Sequence, residues 1–281
     1  MTQDYISLYL STPFAQSGPT GFLSLLILFM ARMFPIIAMA PFFGAKVLPH
    51  PVKVVLGLSI FVILMPQLLL VTHQPVKLDS GYFIYFFKEL FVGSVLGFII
   101  SLPFSLVQST GIIIDNQRGG ASLMVNDPTI QNQSSPLGTL FNYVLIYMFF
   151  MIDGPFIVIE VVSESYNMLP PDAMLSANFF NFSAITTQKI IGILGNLMII
   201  SIQLAAPALI MILMTDFFLG IANRLAPQVQ ITFLGLPLKS LLALMIVCLG
   251  WIPFNEEVVV QTRKSLKELS YFVGLLAPSK G

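Results

Sequence analysis

The sequence predicts an all-α integral membrane protein. Of its 281 residues 56% are hydrophobic and only 9% charged, where soluble proteins carry roughly a quarter charged residues. Mean hydropathy is +0.89, and uncharged runs near the roughly 20 residues that a spanning helix needs recur along the chain. In hydrocarbon only a helix or a closed barrel satisfies its own backbone, and runs of this length are helices. The connections are short, so the expectation is one membrane domain over residues 1–281 with no room for a separate soluble one.

Taken in order, residues 22–45 form the first run, interrupted by Arg32. Residues 54–71 form the second and 90–114 the third. A connection over 115–136, rich in Asn, Ser, Asp and Gln, reads as a loop. Residues 137–159 make the fourth run, broken by Asp153, and a polar connection follows over 160–189. Residues 190–215 are the fifth, and 240–255, short for a span, the sixth. From 256 to 281 Glu256, Glu257, Arg263, Lys264, Lys267 and Glu268 alternate with Val, Leu and Phe. That pattern predicts an amphipathic helix continuing the sixth run, placed at an interface or against a partner. Before the first run there is Asp4 and no basic residue, unlike the positive start of a cleaved signal peptide. The N-terminus is expected to be retained.

The charges do not set a topology. If the six runs alternate across the membrane, five basic residues fall on one side (Lys46, Lys53, Arg118, Arg224, Lys239) and seven on the other (Lys77, Lys88, Lys189, Arg263, Lys264, Lys267, Lys280). Short loops normally show a clear excess of Lys and Arg on the cytoplasmic side. Several of the 19 prolines, among them Pro35, Pro66, Pro103 and Pro207, fall inside the runs. Each removes a backbone donor and bends its helix, which needs neighbours to satisfy the freed carbonyl. Gly93, Gly97, Ser101, Ser105 and Ser109 recur every four residues in the third run, a small-residue face that admits another helix closely.

Arg32, Lys88, Glu89, Asp153, Glu160 and Asp216 lie in or at the ends of the runs, where an isolated charge costs a few kcal/mol. Two readings stand side by side: an ion or proton relay, or buried pairs that never meet lipid. Lys88 and Glu89, adjacent at a helix entrance, read as interfacial. Zero net charge leaves no basic surface for nucleic acid. The single cysteine, Cys248, rules out an intrachain disulfide. His50 and His73 have no metal-ligand spacing, and Gly119-Gly120 lacks the Lys-Ser/Thr ending of a phosphate loop. There is no GxSxG elbow. No enzyme activity, metal or cofactor is expected.

Three clusters go beyond composition. The first is Arg32-Met-Phe-Pro35, Ala40-Pro41-Phe-Phe-Gly44 and Leu48-Pro49, with Lys53 and Pro66 following. The second is Lys88-Glu89 to Gly93 and Gly97, then Gln108 to Gly111, Asp115-Asn-Gln117-Arg-Gly119 and Asn126-Asp127-Pro128. The third is Ala206-Pro207, Asp216-x3-Gly220-x3-Arg224-x2-Pro227-Gln228 and Gly235-Leu-Pro237-Leu-Lys239-Ser240. In order and spacing this series, covering about residues 22–250, resembles the FliR/SctT family of bacterial type III export-apparatus proteins, also called SpaR or YscT. Val229-Gln230 and Pro237-Leu-Lys-Ser240 lean towards the virulence-associated, injectisome branch rather than the flagellar one.

The resemblance implies a subunit of the export gate in the bacterial inner membrane, at the base of the secretion apparatus. That gate passes unfolded substrate proteins. The implied fold is a set of tilted, proline-kinked helical hairpins in a helical assembly, like an R-type subunit fused to an S-type one. Implied partners are R-type and S-type subunits, a U-type switch protein and a V-type nonamer. The 115–136 connection matches a segment that projects into the pore, with Asp115, Gln117, Gly119, Gly120, Leu123 and Met124 as its plug residues. Gly93, Gly97, Ser101 and Ser105 are assigned to helix packing, and Arg32, Asp153, Asp216, Arg224 and Lys239 to intramembrane charge and assembly. The alternative from another class is a secondary transporter of small solutes using Arg32, Asp153 and Asp216.

Overall fold

The computed structural model describes residues 12–44, 48–74, 76, 79, 81–119, 135–174, 184–225 and 231–276. Among these the regular structure is helical. In chain order it comprises α1 (Pro13–Met39), a single 3-10 turn at Pro41–Phe43, α2 (His50–Val71), α3 (Tyr82–Gln117), α4 (Pro136–Met151), α5 (Gly154–Met168), α6 (Ala184–Leu225), α7 (Ile231–Leu249) and α8 (Trp251–Leu276). Four helices are long and apolar enough to cross a membrane, and up to six spans result if the bent pairs α4–α5 and α7–α8 each count as one.

The helix ends follow local chemistry. Proline opens α1, α2 and α5 at the first turn, where its missing N–H costs nothing. The chain leaves α1 through Gly44, which holds φ 68° as the cap of the 3-10 turn, a left-handed conformation that suits glycine. Between α4 and α5 the break falls on Asp153, the one described non-glycine residue with positive φ (58°). Asp153 accepts from the N–H groups of Phe156 and Ile157 at 3.0 and 3.2 Å and so starts α5. Its carboxylate makes no capping bond.

The chain divides into two compact units: residues 1–101, 150–187 and 263–281, and residues 102–149 and 188–262. In the first, Leu25, Leu28, Phe29, Met33 and Ile36 of α1 are buried. The Phe29 ring lies 5.3 Å from Phe61 of α2 and stacks on Tyr166 of α5 at 5.8 Å. Gly93 and Gly97 of α3 lie on the α1 backbone. A Cβ at Gly93 would overlap the Arg32 carbonyl, and one at Gly97 would sit 3.0 Å from the Pro35 carbonyl oxygen. The small-residue face stops there: Ser101 bonds back to the Phe98 carbonyl at 2.7 Å and Ser105 is exposed.

In the second unit the close approach is between α3 and α4, where a Cβ at Gly111 would overlap the Gly138 backbone. The Thr110 hydroxyl donates to the Leu106 and Ser201 carbonyls at 3.0 and 3.3 Å, and Ser201 returns a bond to Leu106 at 3.2 Å. These polar links fasten α3 to α6. Phe141 of α4 meets Phe254 of α8 with ring centroids 4.7 Å apart. The sixth sequence run starts earlier and continues further than its hydropathy suggested. It becomes α7 and α8, bent by 65° at Gly250. Val258, Thr262 and Leu266, four residues apart on α8, are buried, whereas Glu256, Glu257, Arg263, Lys264 and Lys267 are exposed.

Candidate functional site

The polar side chains of these apolar helices gather into clusters, and each cluster lies within one unit. In the first unit Arg32, midway along α1, is fully buried. Its Nε donates to Glu89 Oε2 at 2.5 Å and Nη2 to Glu89 Oε1 at 2.9 Å, the planar fork that arginine offers a carboxylate. Nη1 reaches Ser165 Oγ at 2.9 Å and Nη2 also the Leu169 carbonyl at 2.8 Å. The guanidinium lies 3.9 Å over the Tyr166 ring, a cation–π contact.

Lys88 Nζ approaches Glu89 Oε1 at 2.7 Å and donates to the carbonyls of Pro170, Pro171 and Ala173 at 2.9, 3.1 and 2.9 Å. Two cations thus share one carboxylate, and the surplus positive charge is met by peptide carbonyls of the turn after α5. Buried ions persist only when paired and hydrogen-bonded in this way. The expectation that Lys88 and Glu89 are interfacial is corrected here: they are 4% and 0% exposed. Asp172 Oδ2 anchors the same turn to the end of α2 by accepting from the backbone N–H groups of His73 and Gln74 at 2.9 and 3.2 Å.

In the second unit the centre is Asp115, 1% exposed near the end of α3. Its Oδ2 accepts from the Ser135 hydroxyl and from Leu137 N at 2.9 Å, while Ser135 Oγ accepts from Gly138 N at 2.9 Å. Ser135 before Pro136 is a helix start, and a carboxylate there faces the positive end of the α4 dipole. Arg118 Nε donates to Asp115 Oδ1 at 2.7 Å, and Nη1 reaches Ser240 Oγ of α7 at 2.9 Å. On the neighbouring residue of α7, Lys239 forms an ion pair with Asp216 of α6, in which the Asp216 side chain is 46% exposed. An open cavity beside this pair is lined by Gly220, Asn223, Gly235 and Leu236.

Of the other expected site residues, Arg224 is exposed in the last turn of α6, where a cation complements the helix dipole. Gln117 is exposed, and Gly119 takes φ 88° with Leu236 so close that a Cβ would sit 2.6 Å from Cδ2. Gly120, Leu123 and Met124 lie outside the described residues. In the first unit Arg32 is bonded to Glu89, Ser165 and Leu169, and in the second Asp216 is paired with Lys239. Among the described residues no group of three or more His, Cys, Asp or Glu is placed to hold a metal.

Sequence reasoning missed Glu89 as the partner of Arg32, along with Ser165, Ser135 and Ser240. The Ser135-Pro136 step was a detectable signal, because serine before a proline-led apolar run is a standard N-cap pattern. Ser240 and Ser165 carry no such local sign.

Comparison with known proteins adds the remaining observation. The family described as "Bacterial export proteins, family 1" matches residues 23–263. The surface presentation of antigens protein SpaR of Shigella flexneri is 35% identical over 193 residues, 66% of this chain and 72% of that protein. The Yop proteins translocation protein T of Yersinia pestis is 32% identical over 168 residues, covering 58% and 62%. The flagellar biosynthetic protein FliR of Pectobacterium carotovorum is 28% identical over 214 residues, covering 76% and 79%.

Proposed function

Because the chain belongs to the bacterial export proteins of family 1, we propose that it is a subunit of a type III export gate, part of the conduit for unfolded proteins across the bacterial inner membrane. The observation that carries this reading is the match over residues 23–263, which spans every charge cluster described above. The structure supplies a physical complement. Only 22% of the apolar stretch of α6 is buried within the chain, against 61% for α3, and further along α6 the Asp216 side chain is 46% exposed. A surface of that kind suits contact with other subunits better than lipid.

In this reading the chain works without catalysis, and R-type and S-type subunits lie beside it, with a U-type switch protein and a V-type nonamer at the base. It itself combines R-type-like and S-type-like parts. The 35% identity to SpaR of Shigella flexneri and 32% to Yop translocation protein T, against 28% to FliR of Pectobacterium carotovorum, supports the injectisome branch. The 115–136 connection serves as the plug, with Asp115, Gln117, Gly119, Gly120, Leu123 and Met124 at or within it. Gly93 and Gly97 set the α1–α3 contact, and Asp216, Arg224 and Lys239 act in assembly.

Co-expression with R-type and S-type subunits, followed by detergent purification, tests the assignment: a stable complex containing all three is expected. A monodisperse monomer that ignores both partners would refute it. For the plug, deleting residues 119–133 is expected to leave assembly intact and raise ion conductance across a bilayer, and unchanged conductance in an assembled complex would sink that part.

A further inference from the structure

We infer that Arg118 is a positioning residue, which through Ser240 fixes α7 to the α3–α4 junction and so holds the resting conduit closed. The inference rests on the export-gate reading. Three helices meet at the Asp115–Arg118 pair. Asp115 belongs to α3 and receives the start of α4 through Ser135 and the Leu137 N–H. Arg118 takes the other oxygen of Asp115 and spends its remaining arm on Ser240 of α7. Residues 115 and 135 are 20 apart in sequence, so the carboxylate pins both ends of the connection between α3 and α4 to one point. The Arg118–Ser240 bond extends that point to α7.

The chemistry of this junction separates two duties. Asp115, Ser135 and Leu137 N form a helix cap that would persist without α7. The Arg118–Ser240 bond contributes nothing to the cap, yet it joins the junction to the helix whose next residue, Lys239, pairs with Asp216 of α6. A hydrogen bond to a charged donor at a partly buried site is worth retaining, and arginine's rigid fork allows it to serve two acceptors at a fixed angle. Loss of the α7 arm would free α7 from the junction while leaving the cap and the fold in place.

Ion conductance of the reconstituted multi-subunit complex tests this, with Ser240→Ala, Ser240→Thr, Arg118→Gln and the Arg118→Gln/Ser240→Ala double variant. We expect Ser240→Ala and Arg118→Gln each to raise resting conductance several-fold with subunit composition unchanged. Ser240→Thr, which keeps the hydroxyl, should stay at the native level, and the double variant should leak no more than Arg118→Gln alone. Native conductance in Ser240→Ala overturns the inference, and so does a double variant whose increase is the product of the single ones. Should Arg118→Gln fail to assemble, Ser240→Ala decides alone, because it leaves the Asp115–Arg118 pair intact. The 119–133 deletion separates this inference from the plug reading. A leaking deletion with a tight Ser240→Ala overturns only the role of Arg118, whereas a tight deletion removes the plug whatever Ser240→Ala does.

Discussion

The charge centre of the first unit and the ion pair at Asp216 answer the same problem in opposite ways. Arg32, Lys88 and Glu89 sit in apolar helices at 4% exposure or less, and every donor of the Arg32–Lys88 pair described above ends on a carboxylate, hydroxyl or carbonyl of the same unit. Among the described residues Asp216 and Lys239 are paired with each other, with 46% of the Asp216 side chain open. The first arrangement is complete in one chain. The second leaves acceptor capacity to whatever covers α6 and α7, and it occurs where little of the helix is buried. The difference teaches that intramembrane charge here is of two kinds, one internal to a unit and one facing outward.

Perturbing the internal kind should have the largest effect. Glu89→Ala leaves Arg32 and Lys88 buried without their shared carboxylate and is expected to cost about 3–5 kcal/mol, read as loss of folded protein in thermal melts in detergent. The Arg32→Met/Lys88→Met/Glu89→Leu triple variant should recover much of that loss. If it melts as low as Glu89→Ala alone, the cluster is doing more than neutralising itself. Next comes the α1–α3 contact: Gly93→Val drives a side chain into the Arg32 carbonyl and should cost about 1–3 kcal/mol by overpacking. An unchanged melting temperature would show that α1 and α3 are not in close contact in solution.

Asp115→Asn should cost about 1–3 kcal/mol, because it weakens bonds to a buried, charge-assisted acceptor. Hydrogen exchange at the start of α4 should rise with it, and protection retained there would dismiss the cap. Smallest is Asp216→Asn, expected to change the stability of the isolated chain by about 1 kcal/mol or less, since exposed pairs contribute little. The same substitution should weaken co-purification with other subunits. A large effect on the isolated chain and none on the complex would invert the contrast drawn above.

Much of the helical plan was legible because hydrocarbon restricts the menu to helices and makes length informative. The interruption at Asp153 and the tight α1–α3 contact at Gly93 both have visible sequence causes. The rest was hidden for identifiable reasons. Glu89 lies 57 residues from Arg32, and its neighbour Lys88 made the pair look interfacial when both were directed inward. The four-residue stripe from Gly93 to Ser105 could not remain one face: with 3.6 residues per turn it rotates about 40° per step and about 120° over three. Ser105 accordingly points away from the contact. The amphipathic tail was legible as a helix continuing the sixth run, but the 65° bend between α7 and α8 was not, since no charge marks Gly250. Ser135 was readable as a cap, but that its acid would come from Asp115 was not, since nothing local links residues 20 apart.

The nesting of the two units has a consequence for synthesis. Arg32 emerges from the ribosome 57 residues before Glu89, and its bonds to Ser165 and Leu169 wait for a further 76 and 80 residues. Residues 102–149, which belong to the other unit, are made in between. The acceptors that surround Arg32 in the finished unit are therefore all present only after the turn at 169–173 has been made. Birth order, as well as final geometry, is written into where this arginine finds its bonds.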